Sequence, residues 1–256
     1  MITAGDYTGL AADYSRFRPG YSDRVMQQLF ELLPLPRSSV RFVDVGAGTG
    51  IWTRMVCAAG VASTTAIEPN DDMRAAGIAD SHGLAIRWIK AEAERTLLPD
   101  ACCDWLTMAS AFHWTDFDRA TREFHRVLAP GGRFTALWNP RLIERHPLLM
   151  EIEAQLYVLR PQLTRMSSGR SAFTATLSDR LADSPYFDDV RCLEDEQRLV
   201  MSAEQYIGAW RSVNDIQAQL GAERFETFLR FVEHRLRGTG SIEIAYLTRA
   251  WSARTV

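Results

Sequence analysis

Lysine is almost missing from this 256-residue chain: Lys90 is the only one, and the other 28 of its 29 basic residues are arginine. Taken alone, that bias reflects a G+C-rich coding sequence and carries little chemistry. A dominant charge sign is missing too, since 29 basic residues face 32 acidic ones for a net charge of −3. No dense basic block occurs, so the stripe by which proteins track phosphate backbones is absent, which disfavours nucleic acid as a partner. The four cysteines, Cys57, Cys102, Cys103 and Cys192, show neither CxxC spacing nor a histidine at ligand spacing. Reduced, mostly buried thiols are expected rather than a zinc site or disulfides. No apolar run reaches the length of a membrane span, and Asp6, Asp13, Arg16 and Arg18 interrupt the first twenty residues, so a cytoplasmic protein with no membrane partner is expected. Repeats, low-complexity tracts and Gly/Pro linkers are lacking, which leaves a single domain over 1–256. What is present is ordinary globular composition, 46% hydrophobic and 24% charged, in a chain long enough for one large core.

The apolar pattern orders that domain. Ser22 to Leu33 carries Val25, Leu29, Phe30, Leu32 and Leu33 at helical spacing and stops at Pro34 and Pro36. Strands are predicted at Val40–Val45, Thr64–Glu68, Ile86–Ala91, Asp104–Ala109 and Arg133–Trp138, with helices at Thr49–Ala59, Asp71–Ala79 and Asp118–Leu128 between them. Pro130-Gly131-Gly132 breaks the last of these helices before the fifth strand. Such alternation means parallel βαβ units in a doubly wound α/β sheet. Beyond it, Leu142–Leu159, Ser202–Val213 and Ala222–Leu236 read as helices and Val190–Val200 and Ser241–Ser252 as strands. The expectation is a helical insertion after strand five, a sixth strand, further helices and a last strand closing the sheet.

Chemistry concentrates where strand one turns into its helix, at Asp44-Val45-Gly46-Ala47-Gly48-Thr49-Gly50. Glycines at alternate positions let a ligand approach the backbone and permit positive φ. The spacing is GxGxG, whereas a dinucleotide fold places its third glycine one residue later. Glu68 follows about 20 residues on, at the end of strand two, where a carboxylate can take both ribose hydroxyls of a nucleoside. After strand three, Glu92 is placed to accept from an adenine amino group, and the Ala93 amide to donate to a ring nitrogen. Each feature has a structural alternative: a tight turn, a surface charge and a solvated acidic turn respectively.

Together with Phe112-His113-Trp114, Val127-Leu128-Ala129-Pro130-Gly131-Gly132 and Tyr14-Ser15-Arg16-Phe17-Arg18-Pro19-Gly20-Tyr21, these motifs resemble class I S-adenosylmethionine-dependent methyltransferases. The likeness is to a small-molecule branch that includes trans-aconitate methyltransferase-like enzymes, and its specific motifs cover residues 7 to 139. It implies a Rossmann-like sheet of seven mostly parallel strands with the last antiparallel, and S-adenosyl-L-methionine as cofactor. It also implies an N-terminal cap over 1–38, a cofactor half over 39–139 and acceptor-side helices over 140–256, the insertion forming a lid. Gly46, Ala47, Gly48, Gly50, Glu68, Pro69, Met73, Glu92, Ala93 and Ser110 would hold the cofactor, with Asp44 near its ammonium group. Tyr14 and Arg18 would hold its carboxylate, a charge-assisted bond suited to arginine, although Arg16 is equally placed.

Methyl transfer from sulfonium is an in-line displacement, so aligning and desolvating the acceptor is most of the work. Tyr7 and His113 are the candidates for catalysis, the first facing the methyl group and the second taking or positioning an acceptor proton. Phe112, Trp114, Asn139, Trp210 and Arg211 are candidate acceptor contacts. Asp116 and Asp118 look like a metal pair but stand where helix capping explains them, so no metal is expected. The function implied is methylation of a nitrogen or oxygen of a small molecule, with a role in secondary metabolism. A non-catalytic S-adenosylmethionine-binding regulator or partner subunit is the non-enzymatic alternative, and an NAD-dependent oxidoreductase, opposed by the glycine spacing, is the other.

Overall fold

The computed structural model describes residues 5–165 and 169–256. Seven strands form one sheet: β1 Arg41–Val45, β2 Ser63–Ile67, β3 Ile86–Ile89, β4 Cys103–Ala109, β5 Leu128–Trp138, β6 Phe187–Ser202 and β7 Ser241–Thr255, in the order β3-β2-β1-β4-β5-β7-β6. β7 runs antiparallel to both β5 and β6, and the other six strands are parallel. The helices between the first strands are α2 Asp23–Glu31, which precedes β1, α3 Ile51–Ala58, α4 Asp71–Asp80 and α5 Phe117–Val127. Ser22, Asn70 and Asp116 cap α2, α4 and α5 by accepting a backbone N–H with their side chains, so Asp116 does serve its helix.

Strand alternation sends neighbouring residues to opposite faces. Phe42 and Trp105, register partners on β1 and β4, belong to the core that covers α2 and α3, whereas Val43 and Leu106 belong to the core under α5. A third core lies beyond the sheet, where the ends of β6 and β7 pack against α6 Pro147–Leu159, α9 Ala203–Arg211 and α10 Asn214–Leu236.

Several expectations need correction. The last strand does not close the sheet at its edge: β7 inserts between β5 and β6, and β6 is the edge strand. Pro130-Gly131-Gly132 lies within β5 as a bulge, since Leu128 already pairs with Cys103 and pairing resumes at Trp105 and Arg133. The helix expected over 142–159 is divided, because His146 precedes a proline and is extended (φ −136°, ψ 113°), which leaves a 3-10 turn and then α6. Three short helices had no periodic signal long enough to read: α1 Ala11–Phe17, α7 Ala172–Ala175 and α8 Leu177–Ala182. Of the four free thiols only Cys103 is buried; Cys57 and Cys102 are half-buried and Cys192 is exposed.

The N-terminal segment is tied down on both sides of the sheet's carboxyl edge. The Gly9 N–H donates to Asp72 Oδ2 on α4 (2.9 Å), and the Gly5 N–H donates to Asn214 Oδ1 on α10 (2.8 Å). No helix among the described residues is long and apolar enough to cross a membrane.

Candidate active site

Strand order reverses between β1 and β4, and the crevice this leaves at the carboxyl ends of the strands is where open α/β sheets bind ligands. Two cavities open there and share a wall. The first, of about 290 Å³, is lined by Glu68, Pro69, Met73, Glu92, Ala93 and Trp114. The second, of about 260 Å³, is lined by Arg18, Ala47, Asn139, Arg141, Glu153 and Arg165. Tyr7, Tyr14, Gly46, Gly48, Ala109 and Ser110 line both. Eleven of the thirteen expected cofactor positions thus line one cavity or the other, together with Tyr7, and the two exceptions, Asp44 and Gly50, are informative.

Gly46 has φ +65°, and a Cβ there would stand 2.7 Å from the Ala111 Cβ, so neither backbone nor space admits a side chain. Gly50, expected at the cofactor, lines neither cavity. It caps α3, and a Cβ on it would meet the Trp88 ring at 3.0 Å, so its glycine serves packing. Asp44, expected near the cofactor's ammonium group, lines neither cavity. It lies 1% exposed beneath the loop, where its carboxylate accepts from Thr53 Oγ1 (2.6 Å) and Thr107 Oγ1 (2.8 Å). Burial raises its pKa to about 7 against the lowering effect of those two hydroxyls.

Glu68 is the polar centre of the first cavity. Its Oε2 accepts the Gly48 N–H and its Oε1 the Asn70 N–H, each at 2.8 Å, which ties the glycine loop to the end of β2. Burial raises its pKa, opposed by those two amides and then by Arg74. Each carboxylate oxygen retains a lone pair, so the donor set suits a vicinal diol. Glu92 and Ala93 stand at the same cavity, as an adenine edge requires. The narrow glycine cradle and this pair of carboxylates therefore fit an adenosine, and they offer no cation for a pyrophosphate.

At the shared wall Tyr7 stacks edge-on against Tyr14 with ring centroids 5.9 Å apart. Burial pushes the Tyr7 phenol above its ordinary value, so it is a neutral hydrogen-bonding group near pH 7 rather than a base. Ser110 holds φ +57°, a strained conformation for a residue with a Cβ, and its Oγ lies 3.0 Å from the Tyr21 hydroxyl. Arg18 lines the second cavity with its guanidinium anchored, Nε donating to Ser212 Oγ at 2.7 Å. Arg16 points away and pairs with Glu204 at the surface. Asn139 lines the second cavity while its amide holds other chain segments, donating to the Gly20 carbonyl and accepting from Thr248.

Four expected contacts lie elsewhere. Phe112 is fully buried in an aromatic cluster with Phe117, Phe124 and Phe134. Arg211 is on the surface near Glu226 and Glu233, away from both cavities. Trp210 is 1% exposed and stands behind the second cavity, under Arg141. His113 lines neither cavity: its Nδ1 accepts from Trp138 Nε1 at 3.3 Å, and burial lowers its pKa to about 4, so it is neutral. His113→Ala is therefore expected to lower the urea midpoint by the equivalent of about 1–3 kcal/mol through lost packing and an orphaned Trp138 N–H. S-adenosylhomocysteine affinity should stay within twofold; a large affinity loss at unchanged stability would return His113 to the site.

Arg141, Glu153, Arg165 and Tyr21 were not anticipated. Glu153 alone had a legible signal, because it falls on the face of α6 that buries Leu149, Ile152 and Leu156, where a carboxylate is out of place.

Comparison with known proteins agrees with this geometry. Residues 43–136 match a family model described as a methyltransferase domain. The chain is 36% identical over 115 residues to the ubiquinone/menaquinone biosynthesis C-methyltransferase UbiE of Rubrivivax gelatinosus, covering 44% of this chain and 45% of that protein. It is 34% identical over 131 residues to an uncharacterised methyltransferase of Mycobacterium tuberculosis, covering 50% and 49% respectively. The chain thus spans about half the length of the curated relatives it matches. A solved structure from Anaeromyxobacter dehalogenans, provisionally assigned as a type II methyltransferase, superposes with a TM-score of 0.67 at 23% identity over 93% of this chain and 98% of that one. That likeness establishes the Rossmann-like methyltransferase fold.

Proposed function

We propose that this chain, whose residues 43–136 match a methyltransferase-domain model, transfers a methyl group from S-adenosyl-L-methionine to a small molecule held in the second cavity. One observation carries this reading: the cavity lined by Glu68, Glu92 and Ala93 shares the wall of Tyr7, Tyr14, Gly46, Gly48, Ala109 and Ser110 with a second cavity. When bound, the cofactor supplies an electrophilic methyl group on a cationic sulfur that departs as a neutral thioether. Glu68, Glu92 and the Ala93 amide hold the adenosine, and the glycine loop admits the chain that follows it. Tyr14 and Arg18 are suited to the cofactor's carboxylate. Tyr7, neutral and at the junction, packs against the transferring group and excludes water from it. Residues 1–38 act as the cap, 39–139 as the cofactor half, and 140–256 as the acceptor side.

The volume of about 260 Å³ lies near the lower end of small-ligand cavities, which supports a small acceptor. Glu153, the carboxylate lining it, is paired with Arg165, and the buried phenols are neutral. Among the described residues that line it, none is placed to strip a proton from carbon, which favours a nitrogen or oxygen that is already a nucleophile, as in the trans-aconitate methyltransferase-like branch. The C-methyltransferase relative supports the second reading, transfer to a carbon. Titration calorimetry with S-adenosylmethionine, S-adenosylhomocysteine and NAD is the test. Binding of both adenosyl ligands and not NAD is expected, and NAD binding without either would overturn the proposal. Locating the new methyl group in a turned-over product by mass spectrometry separates nitrogen or oxygen from carbon.

A further inference from the structure

The second cavity contains more cation than its own residues neutralise. Arg18, Arg141, Arg165 and Arg170 line it, against the single carboxylate of Glu153. Arg165 pairs with Glu153, and Arg170 pairs with Glu144. Arg141 differs from them: among the described residues no carboxylate stands within ion-pair distance of it. It is enclosed by protein yet keeps part of its surface open, because what it faces is the cavity. Its guanidinium lies 4.2 Å over the Trp210 ring and 5.4 Å from that of Tyr206. Burial keeps the Tyr206 and Tyr246 phenols protonated, so neither supplies a compensating charge.

Buried polar atoms normally find partners, and a group of exceptions marks a place where something is missing. Three N–H groups in this region are buried without a hydrogen-bond acceptor: Arg141 Nη1, Arg165 Nε and Trp210 Nε1. The position of Arg141 is not loose. Leu142 donates to the Ala245 carbonyl (2.8 Å) and Leu247 to the Pro140 carbonyl (2.8 Å), clamping the residue to β7 from both sides. A largely enclosed cation held rigidly over an indole, with no carboxylate partner and part of its surface open to a cavity, is a preorganised anion receptor.

We propose that Arg141, supported by Arg165, forms an anion subsite that anchors the methyl acceptor by a carboxylate or phosphate group remote from the atom methylated. This rests on the methyltransferase reading for the word acceptor, and on the cavity alone for the anion. The remoteness follows from the lining: the arginines Arg141 and Arg165 border only the second cavity, not the wall it shares with the first. An anion there also offsets the repulsion between this arginine group and a sulfonium at the junction.

The test is calorimetric titration of the protein, saturated with S-adenosylhomocysteine, with benzoate, phenyl phosphate and benzamide at one ionic strength. At least one anion should bind tenfold or more tightly than benzamide, and which one does so distinguishes carboxylate from phosphate. Arg141→Met should reduce that affinity at least tenfold while S-adenosylhomocysteine affinity moves less than twofold. Should that variant not fold, Arg141→Lys keeps the charge and loses the planar fork, and a drop of at least threefold is expected. Equal or absent binding of anion and amide by the wild type, or undiminished anion affinity in the folded variant, overturns the subsite. Failure to bind S-adenosylhomocysteine at all would instead sink the methyltransferase reading, whatever the anions do in its absence.

Discussion

Alanine at position 68 is expected to weaken S-adenosylhomocysteine binding by about 2–3 kcal/mol, roughly 30- to 150-fold in Kd. Two charge-assisted bonds to the ribose would be lost at once, each worth about 1.5–3 kcal/mol before compensation. The same substitution removes the acceptor for the Gly48 and Asn70 amides, both held at 2.8 Å, so the glycine loop loses its tether. A fall in stability of about 1–3 kcal/mol for the orphaned groups should accompany the affinity loss. Glu68→Gln should lie between, since its amide keeps one acceptor oxygen. Calorimetry and urea midpoints on the same preparations separate the two effects. A stability loss with unchanged affinity would leave Glu68 as a loop tether and remove it from the ribose.

Asp44→Asn is expected to change how stability depends on pH. The folded pKa of about 7 stands against an ordinary value of 3.8, so between those limits the folded protein binds the proton that the unfolded chain has released. The Asp44 contribution to wild-type stability therefore falls as pH rises from about 4 to 7, by an amount on the order of 4 kcal/mol if burial is undisturbed. The variant lacks this component, and its stability relative to wild type should climb across the same window. His113 acts with the opposite sign: burial lowers its pKa from 6.5 to about 4, so stability is lost as pH falls through that range. Both proteins retain His113, and its contribution cancels in the difference. Urea midpoints at pH 4, 5.5 and 7 provide the measurement, and parallel curves for the two proteins would refute a buried, proton-holding Asp44. Because an asparagine can still pair with Thr53 and Thr107, whose hydroxyls rotate, little baseline loss is expected at pH 4.

The contrast between Glu68 and Asp44 shows how far motif spacing reaches. Both flank the glycine loop, and both were read as cofactor contacts. Spacing along the chain locates Glu68 at the end of β2, where strand ends meet ligands. It does not say that Thr53 and Thr107 turn toward Asp44 and occupy it. Gly50 and Phe112 fail for the same reason. Glycine is demanded equally by a ligand and by a tryptophan ring, and an aromatic after a strand packs equally well inward or outward.

Sequence pattern and spacing alone determined the parallel βαβ core, its strand positions to within a few residues, the glycine turn and the placing of the Glu68 carboxylate at the end of β2, because these depend on local pattern and on spacing within one crossover. Only the tertiary structure decided the insertion of β7 between β5 and β6, the exile of His113 and Arg211 from the cleft, and the convergence of Arg141, Glu153 and Arg165 on one cavity. Those three residues come from a loop, a helix and the segment after it, and isolated charges at such separations have no period to betray them. The near-absence of lysine, uninformative along the chain, acquires meaning at that one cavity, where planar guanidinium forks replace what would otherwise be point charges.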